Sequence, residues 1–173
     1  MRKILLVIDM QNDFINGALG TREAEALVDR VAGEIKKYPA GDIIATRDTH
    51  TEDYLNTQEG KNLPVVHCVK GTTGWALAPK IAEALGEALI IDKPTFGSRE
   101  LAEWLAQLAR AEDLDITLVG LCTDICVVSN ALLINAFLPE TSVRVIAACC
   151  AGVTPERHRA ALDTMKECQI QIQ

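Results

Sequence analysis

No stretch of this chain gathers lysines and arginines into a basic cluster. Its 173 residues hold 17 Lys and Arg against 24 Asp and Glu, a formal net charge of -7. Nucleic-acid binding draws on a basic patch, so that class of partner is excluded. No apolar run approaches the ~20 residues of a membrane span. The opening MRKILLVIDM is too short for a secretory leader and meets polar Gln11, Asn12 and Asp13 at once. A cytoplasmic setting without membrane association is therefore expected, where thiols stay reduced. The six cysteines are then core filler, metal ligands or catalysts rather than disulfide staples. Repeats, low-complexity tracts and linkers are missing too, and the length suits a single domain over 1–173. Histidine is scarce, with three in the chain.

What is present is an alternation of short Val/Ile-rich runs with longer amphipathic stretches. KILLVID (3–9), DIIATRD (42–48), ALIIDK (88–93), DITLVG (115–120) and SVRVIAAC (142–149) read as strands. Helices are expected over 22–38, with Leu27, Val31 and Ile35 on one face, and over 98–110, 124–137 and 155–168. Pro155 suits the start of the last one. QIQIQ at the end offers a sixth, edge strand. Near-continuous apolar strands between helices imply a three-layer α/β/α fold around a mostly parallel sheet of five or six strands. One long irregular stretch, from Thr49 to about Gly74, carries Asn, Gly, Thr, Pro and two of the histidines. A loop of that length in a compact domain is usually functional.

Ligands of such sheets bind outside the carboxyl ends of the strands, and chemistry-bearing residues collect there. Asp9 closes the first strand. It either caps the next turn through backbone N–H groups or serves as a base or ion-pair partner, for which Lys93, closing the third strand, is suited. Asp48 and His50 stand two apart on an extended segment, so their side chains point the same way. His67 returns from the loop and could complete a two-His, one-carboxylate site of the catalytic metal type. His158 lies in a charged helix and is expected in solvent. In VGLCTDICVVSNA (119–131), the spacing of Cys122 and Cys126 fits neither a CxxC redox pair nor a zinc ribbon. Thr123 is a good helix N-cap. Cys126 would then lie in the first helical turn, where the thiolate is favoured. That makes it the better nucleophile, with Cys122 small and buried. Cys68, Cys149, Cys150 and Cys168 read as structural.

Together, LLVIDMQNDF, ATRDTH, HCVKGTTGW, IIDKPTF, LVGLCTDICVVSNA and AGVTPERH, in that order along nearly the whole chain, resemble the isochorismatase-like cysteine hydrolases, with their Rossmann-like topology. The Asp-x-His plus a later His resembles the nicotinamidase (pyrazinamidase) branch. The resemblance implies hydrolysis of nicotinamide to nicotinate and ammonia through a Cys thioester, with a catalytic triad of Asp9, Lys93 and Cys126. It also implies an oxyanion hole of the Cys122 and Cys126 backbone N–H groups beside a cis peptide, and Phe14 against the substrate ring. Asp48, His50 and His67 would hold one divalent transition metal: zinc first, with iron and manganese as alternatives. Family members are often dimers or tetramers, which implies a homodimer or homotetramer. There are departures. No His follows in 51–61, where Glu59 could substitute as a ligand. No Trp precedes His67, and Tyr54 is a candidate for that side of the pocket. PTFGSREL replaces a Tyr-containing loop. A relative acting on another small carboxamide or ureido compound is the main alternative, and a non-catalytic metal- or thiol-sensing relative a further one.

Overall fold

The computed structural model describes residues 1–173. In chain order its elements are β1 (Arg2–Ile8), α1 (Asn12–Ile15), α2 (Arg22–Ile35), β2 (Ile43–Asp48), α3 (Gln58–Asn62), α4 (Pro79–Leu85), β3 (Leu89–Lys93), α5 (Arg99–Leu108), β4 (Leu114–Leu121), α6 (Val128–Phe137), β5 (Ser142–Ala151), α7 (Pro155–Glu167) and β6 (Gln171–Ile172). All pairings are parallel and the strand order is β3-β2-β1-β4-β5-β6. QIQIQ does supply the sixth strand, and the sheet is wholly rather than mostly parallel. No helix is long and apolar enough to cross a membrane.

The sequence forms these layers because β1 is buried on both faces. Leu5 and Val7 point to one side, where they pack with Leu27, Val31 and Ile35 of α2 and Ile81 and Leu85 of α4. Ile4, Leu6 and Ile8 point to the other, against Leu101 and Leu105 of α5, Ile134 of α6 and Met165 of α7. The α2 residues recur every four positions, one stripe of a helix. The helix starts where Thr21 accepts a hydrogen bond from the Ala24 N–H at 3.1 Å. β3 forms one edge, so its Leu89 and Ile90 are exposed.

The strand order reverses between β1 and β4, and the crevice at that point is where open parallel sheets place their ligands. Register then decides which residues meet. Ile8 pairs with Gly120, so Asp9 leaves β1 beside the end of β4, while Asp48 pairs with Lys93. Gly120 makes the approach of β4 to β1 possible. Its φ is +118°, and a Cβ there would sit 2.1 Å from the Ile8 carbonyl oxygen. Gly120→Ala is therefore expected to cost on the order of 3 kcal/mol or more, measured by urea denaturation. A variant as stable as the wild type would mean the strands can separate locally at little cost.

Candidate active site

Four strand ends meet around one ammonium. Asp9, at φ +46°, turns its side chain into the crevice; aspartate tolerates this left-handed backbone better than most residues. Its Oδ1 accepts from Thr46 Oγ1 at 2.7 Å. Its Oδ2 lies 2.6 Å from Lys93 Nζ. The same Nζ lies 3.3 Å from Cys126 Sγ and 3.5 Å from Asp48 Oδ1, and donates to the Thr95 carbonyl at 3.2 Å. The Lys93 and Asp9 side chains are 1% and 0% exposed, so this ion pair has no solvent to share its charge. Burial alone would lower the lysine, but Asp9, Cys126 and Asp48 outweigh it and hold Lys93 above its ordinary value, charged. Burial raises the Asp9 carboxyl; Lys93 opposes this and Asp48 adds to it, leaving Asp9 above the usual carboxylate range.

Cys126 departs from expectation in one respect. Burial first, and Asp9 second, push its thiol well above the ordinary value, with Lys93 pulling the other way. The expected favouring of thiolate by a helix start does not govern here, because Cys126, in the π-type turn Thr123–Val127 that precedes α6, is buried beside Asp9. Thr123 is not the cap either; Cys122 holds that position without a side-chain bond. The Thr123 hydroxyl instead pairs with His158 Nδ1 at 2.8 Å. This half-buries the histidine expected in solvent, and burial lowers its basicity. Cys122 follows a cis peptide after Leu121. It is half-buried and lines the cavity rather than being enclosed, with its thiol pushed up to about 12 by burial. Cys68, Cys149 and Cys150 are buried, but Cys168 is exposed and is no core residue.

Beside this centre, Asp48, His50, Glu59 and His67 offer one donor atom each, all within 4.8 Å of one another. The structure thus brings in Glu59 along with the three expected ligands. Asp48 Oδ2 lies 2.8 Å from His50 Nε2 and 3.5 Å from His67 Nε2, and Glu59 Oε1 lies 3.6 and 3.7 Å from the same two nitrogens. Adjacent ligand atoms of a tetrahedral zinc stand about 3.4 Å apart, given bonds of ~2.0–2.2 Å. His67 Nδ1 donates to the Val65 carbonyl at 2.8 Å, which leaves Nε2 as the ligating nitrogen. The residues present therefore fit a divalent transition metal. Burial disfavours the Asp48 carboxylate, but hydrogen bonds from His50 and His67 outweigh it and hold its carboxyl below the usual range.

Sequence reasoning missed the supports of this cluster. Gln11, fully buried, accepts from the Asp48 N–H at 2.7 Å and donates to the Asp48 carbonyl at 2.8 Å. A polar residue just past a buried strand was the available signal. Tyr54 does not line the cavity as expected. It is fully buried, sets its ring edge-on to His50 and His67 at 4.7 and 4.9 Å, and donates its hydroxyl to the Leu63 carbonyl. Gly60 lets the helix bearing Glu59 close onto this turn, since a Cβ there would meet the Tyr54 carbonyl oxygen at 2.0 Å.

Both centres open into one cavity of 630 Å³. Its remaining walls include Phe14, Leu63, Phe96 and Ile125, and the Phe14 ring lies 5.6 Å from that of His67. A second groove of 410 Å³, between α2 and the end of β5, includes Glu23, Arg30, Cys150 and His158 in its lining, with Cys150 raised by burial and no lysine ammonium beside it.

Residues 3–173 match the Isochorismatase domain. The chain belongs to the isochorismatase-domain family. Solved structures similar to this isochorismatase-domain protein include a pyrazinamidase of Pyrococcus horikoshii in complex with zinc, at 29% identity and a TM-score of 0.80, covering 100% of this chain and 99% of that one. A pyrazinamidase/nicotinamidase from Streptococcus mutans is 28% identical with a TM-score of 0.83, covering 99% of each chain. A nicotinamidase/pyrazinamidase from Bacillus subtilis is 25% identical with a TM-score of 0.82, again covering 99% of each. No significant match was found among curated proteins.

Proposed function

We propose that this isochorismatase-domain hydrolase is a metal-assisted cysteine amidohydrolase that converts nicotinamide to nicotinate and ammonia. The observation that carries the reading is the single ammonium of Lys93, 2.6 Å from Asp9 and 3.3 Å from Cys126, on the cavity that also holds the Asp48, His50, Glu59 and His67 donors. The similarity to pyrazinamidases and nicotinamidases at 25–29% identity supports it.

In this mechanism Asp9 accepts the Cys126 proton as the sulfur attacks the carboxamide carbon. Transfer must accompany attack, because the thiol is held well above its ordinary value. Lys93 keeps acid and sulfur in register and balances the charge that passes between them. Backbone N–H groups of Cys122 and Cys126 receive the developing oxyanion; loss of one such donor typically costs ~3 kcal/mol. Asp9 returns the proton to departing ammonia and leaves a thioester on Cys126. Asp9 next deprotonates a water, whose attack releases the acid and restores the thiol. Asp48, His50, His67 and Glu59 would hold one divalent ion, with zinc, iron and manganese all suited to the donors, and its Lewis acidity would be available to the ring nitrogen directly or through water. Phe14 packs against the substrate ring.

The direct test is ammonia release from nicotinamide by metal-loaded protein, with Cys126→Ala as control. A folded, loaded protein that releases none refutes the substrate. The cavity of 630 Å³ has room beyond one six-membered ring, which favours as second reading another small carboxamide or ureido compound on the same triad.

Two further outcomes are expected. Chelation should weaken nicotinamide binding, read as a raised KM, more than it lowers the thermal melt; unchanged kinetics after verified metal removal would take the ion out of the mechanism. The acid limb of kcat/KM should fall above the ordinary aspartate value. The sign follows from Asp9: it must be ionised to accept the thiol proton, burial raises its carboxyl, and the limb moves up with it. Because Asp9 and Cys126 share protons, the limb belongs to the pair. A pH–rate profile checks this, and a limb at or below the ordinary aspartate value would contradict it.

A further inference from the structure

Asn130 is fully buried one turn into α6 and belongs to neither centre described above. Its Nδ2 donates to the Cys126 carbonyl at 2.8 Å and to the Phe96 carbonyl at 3.1 Å. Its Oδ1 accepts from the Ser98 N–H at 2.9 Å. Both amide hydrogens and the oxygen are thus engaged, and the partners settle which way the amide faces, because two are carbonyls and one is an N–H. A side chain so buried and so fully paired is costly to replace by one with different donors.

The three partners come from two separate pieces of the fold. Cys126 lies in the turn between β4 and α6. Phe96 and Ser98 lie in the connection from β3 to α5, with Ser98 capping α5 through the Leu101 N–H at 3.1 Å. This connection follows Lys93, whose Nζ also holds the Thr95 carbonyl. At Gly97 it packs so closely on α6 that a Cβ would meet the Ser129 carbonyl oxygen at 3.2 Å. The segment carrying Phe96 is exposed at Pro94, Thr95 and Phe96; besides the Lys93–Thr95 bond, Asn130 ties it to the interior beside the sulfur.

We propose that Asn130 is a positioning residue with two arms: its bond to the Cys126 carbonyl holds the turn that carries the sulfur for attack, and its bond to the Phe96 carbonyl holds the wall against which an amide binds. The inference rests on Cys126 being the nucleophile. An attacking sulfur must lie within roughly 3–3.5 Å of the carbonyl carbon, and a displacement near 1 Å can cost about a hundredfold. The Cys126 arm bears on this distance, and the Phe96 arm on the place of the wall. Asparagine suits the task where its neighbours in size do not. Aspartate has the shape but no amide donors. A threonine hydroxyl can donate to the carbonyl four residues back, which here is that of Cys126, but it has nothing left for Phe96 or Ser98.

The two variants therefore separate the two arms. Asn130→Thr should keep kcat near the wild-type value and raise KM roughly tenfold, the size of a lost pocket contact. Asn130→Asp should lower kcat by about a hundredfold. Alkylation by iodoacetamide without nicotinamide present, followed at Cys126 by peptide mass spectrometry, gives a second readout: wild-type rate in Asn130→Thr, slowed rate in Asn130→Asp. Because alkylation needs no substrate, a wild type inactive on nicotinamide would count against the proposed function and not against this role. Thermal melts establish that each variant is folded at the assay temperature, and should Asn130→Asp fail to fold, the Asn130→Thr split carries the test. A folded Asn130→Thr with KM unchanged, or with kcat and KM altered by equal factors, overturns the proposal. So does a folded Asn130→Asp alkylated at the wild-type rate.

Discussion

Cys126→Ala is expected to lower turnover by at least ~10⁴-fold, while Cys122→Ala keeps activity within about tenfold of wild type. The contrast is sharp because both sulfurs face the same cavity but only one has partners for the chemistry. Cys126 Sγ is 3.3 Å from the Lys93 ammonium and feels Asp9 as its main charged neighbour. Cys122 contributes its backbone N–H in the proposed mechanism, which alanine retains. Its thiol, pushed up to about 12 by burial, has no base beside it. In the proposed mechanism, removing the Cys126 sulfur removes the covalent route, whereas removing the Cys122 sulfur changes cavity shape by one atom. Initial rates on nicotinamide, with circular dichroism to show that each variant is folded, decide the matter. Equal losses in two folded variants would refute the assignment of the nucleophile.

Lys93→Met should be the most damaging single change to stability at the site, at about 3–5 kcal/mol. For a chain of this length that is a fall of roughly 6–20 °C in Tm. The substitution keeps an apolar stem of similar reach, so packing is not the cause. Asp9 and Asp48 would be left buried with no ammonium between them. The sign of the pH dependence follows. Lys93 is held above its ordinary value, so its stabilising contribution is fully present below that value and persists across neutral pH. Without it, burial raises the Asp9 carboxyl further. A folded-state value above the unfolded one means stability present at low pH and lost as pH rises through the folded value. The deficit of Lys93→Met should therefore shrink in mildly acidic buffer and widen in mildly alkaline buffer, as read by urea denaturation. Adding Asp9→Asn should recover part of the loss, since removing both charges of a buried pair costs less than stranding one. A double variant less stable than either single one would show that the pair is not the source of the effect.

Much of this arrangement was legible in the chain because it depends on local patterns. Alternating apolar runs place the strands, and a carboxylate, lysine or histidine at the end of such a run stands at the ligand-binding edge in any parallel sheet. That is why Asp9, Asp48, His50 and Lys93 could be picked out one at a time. His67 and Cys126 came from the loop and from the crossing after β4. The readings that failed had been extended by local rules into places where tertiary contacts prevail. Thr123 looks like a helix cap, but a π-type turn and a histidine 35 residues away claim its hydroxyl. A thiol near a helix start looks acidic, but enclosure and Asp9 reverse the direction. Tyr54 looks like a pocket wall, yet it packs behind the histidines.

The sequence by itself determined a parallel α/β sheet, the strand ends that carry reactive groups, and the likeness of its motifs to a hydrolase family. Hydrophobic period and residue type are properties of short segments, so they survive without coordinates. Only the tertiary structure decided that one lysine ammonium touches Asp9, Asp48 and Cys126 together, that Glu59 joins the two histidines, and that Asn130 ties the Cys126 turn to the Phe96 loop. Those meetings depend on strand order and register across separations as long as 84 residues along the chain. Side chains so distant converge only when every intervening element has packed, and no one-dimensional pattern encodes that distance.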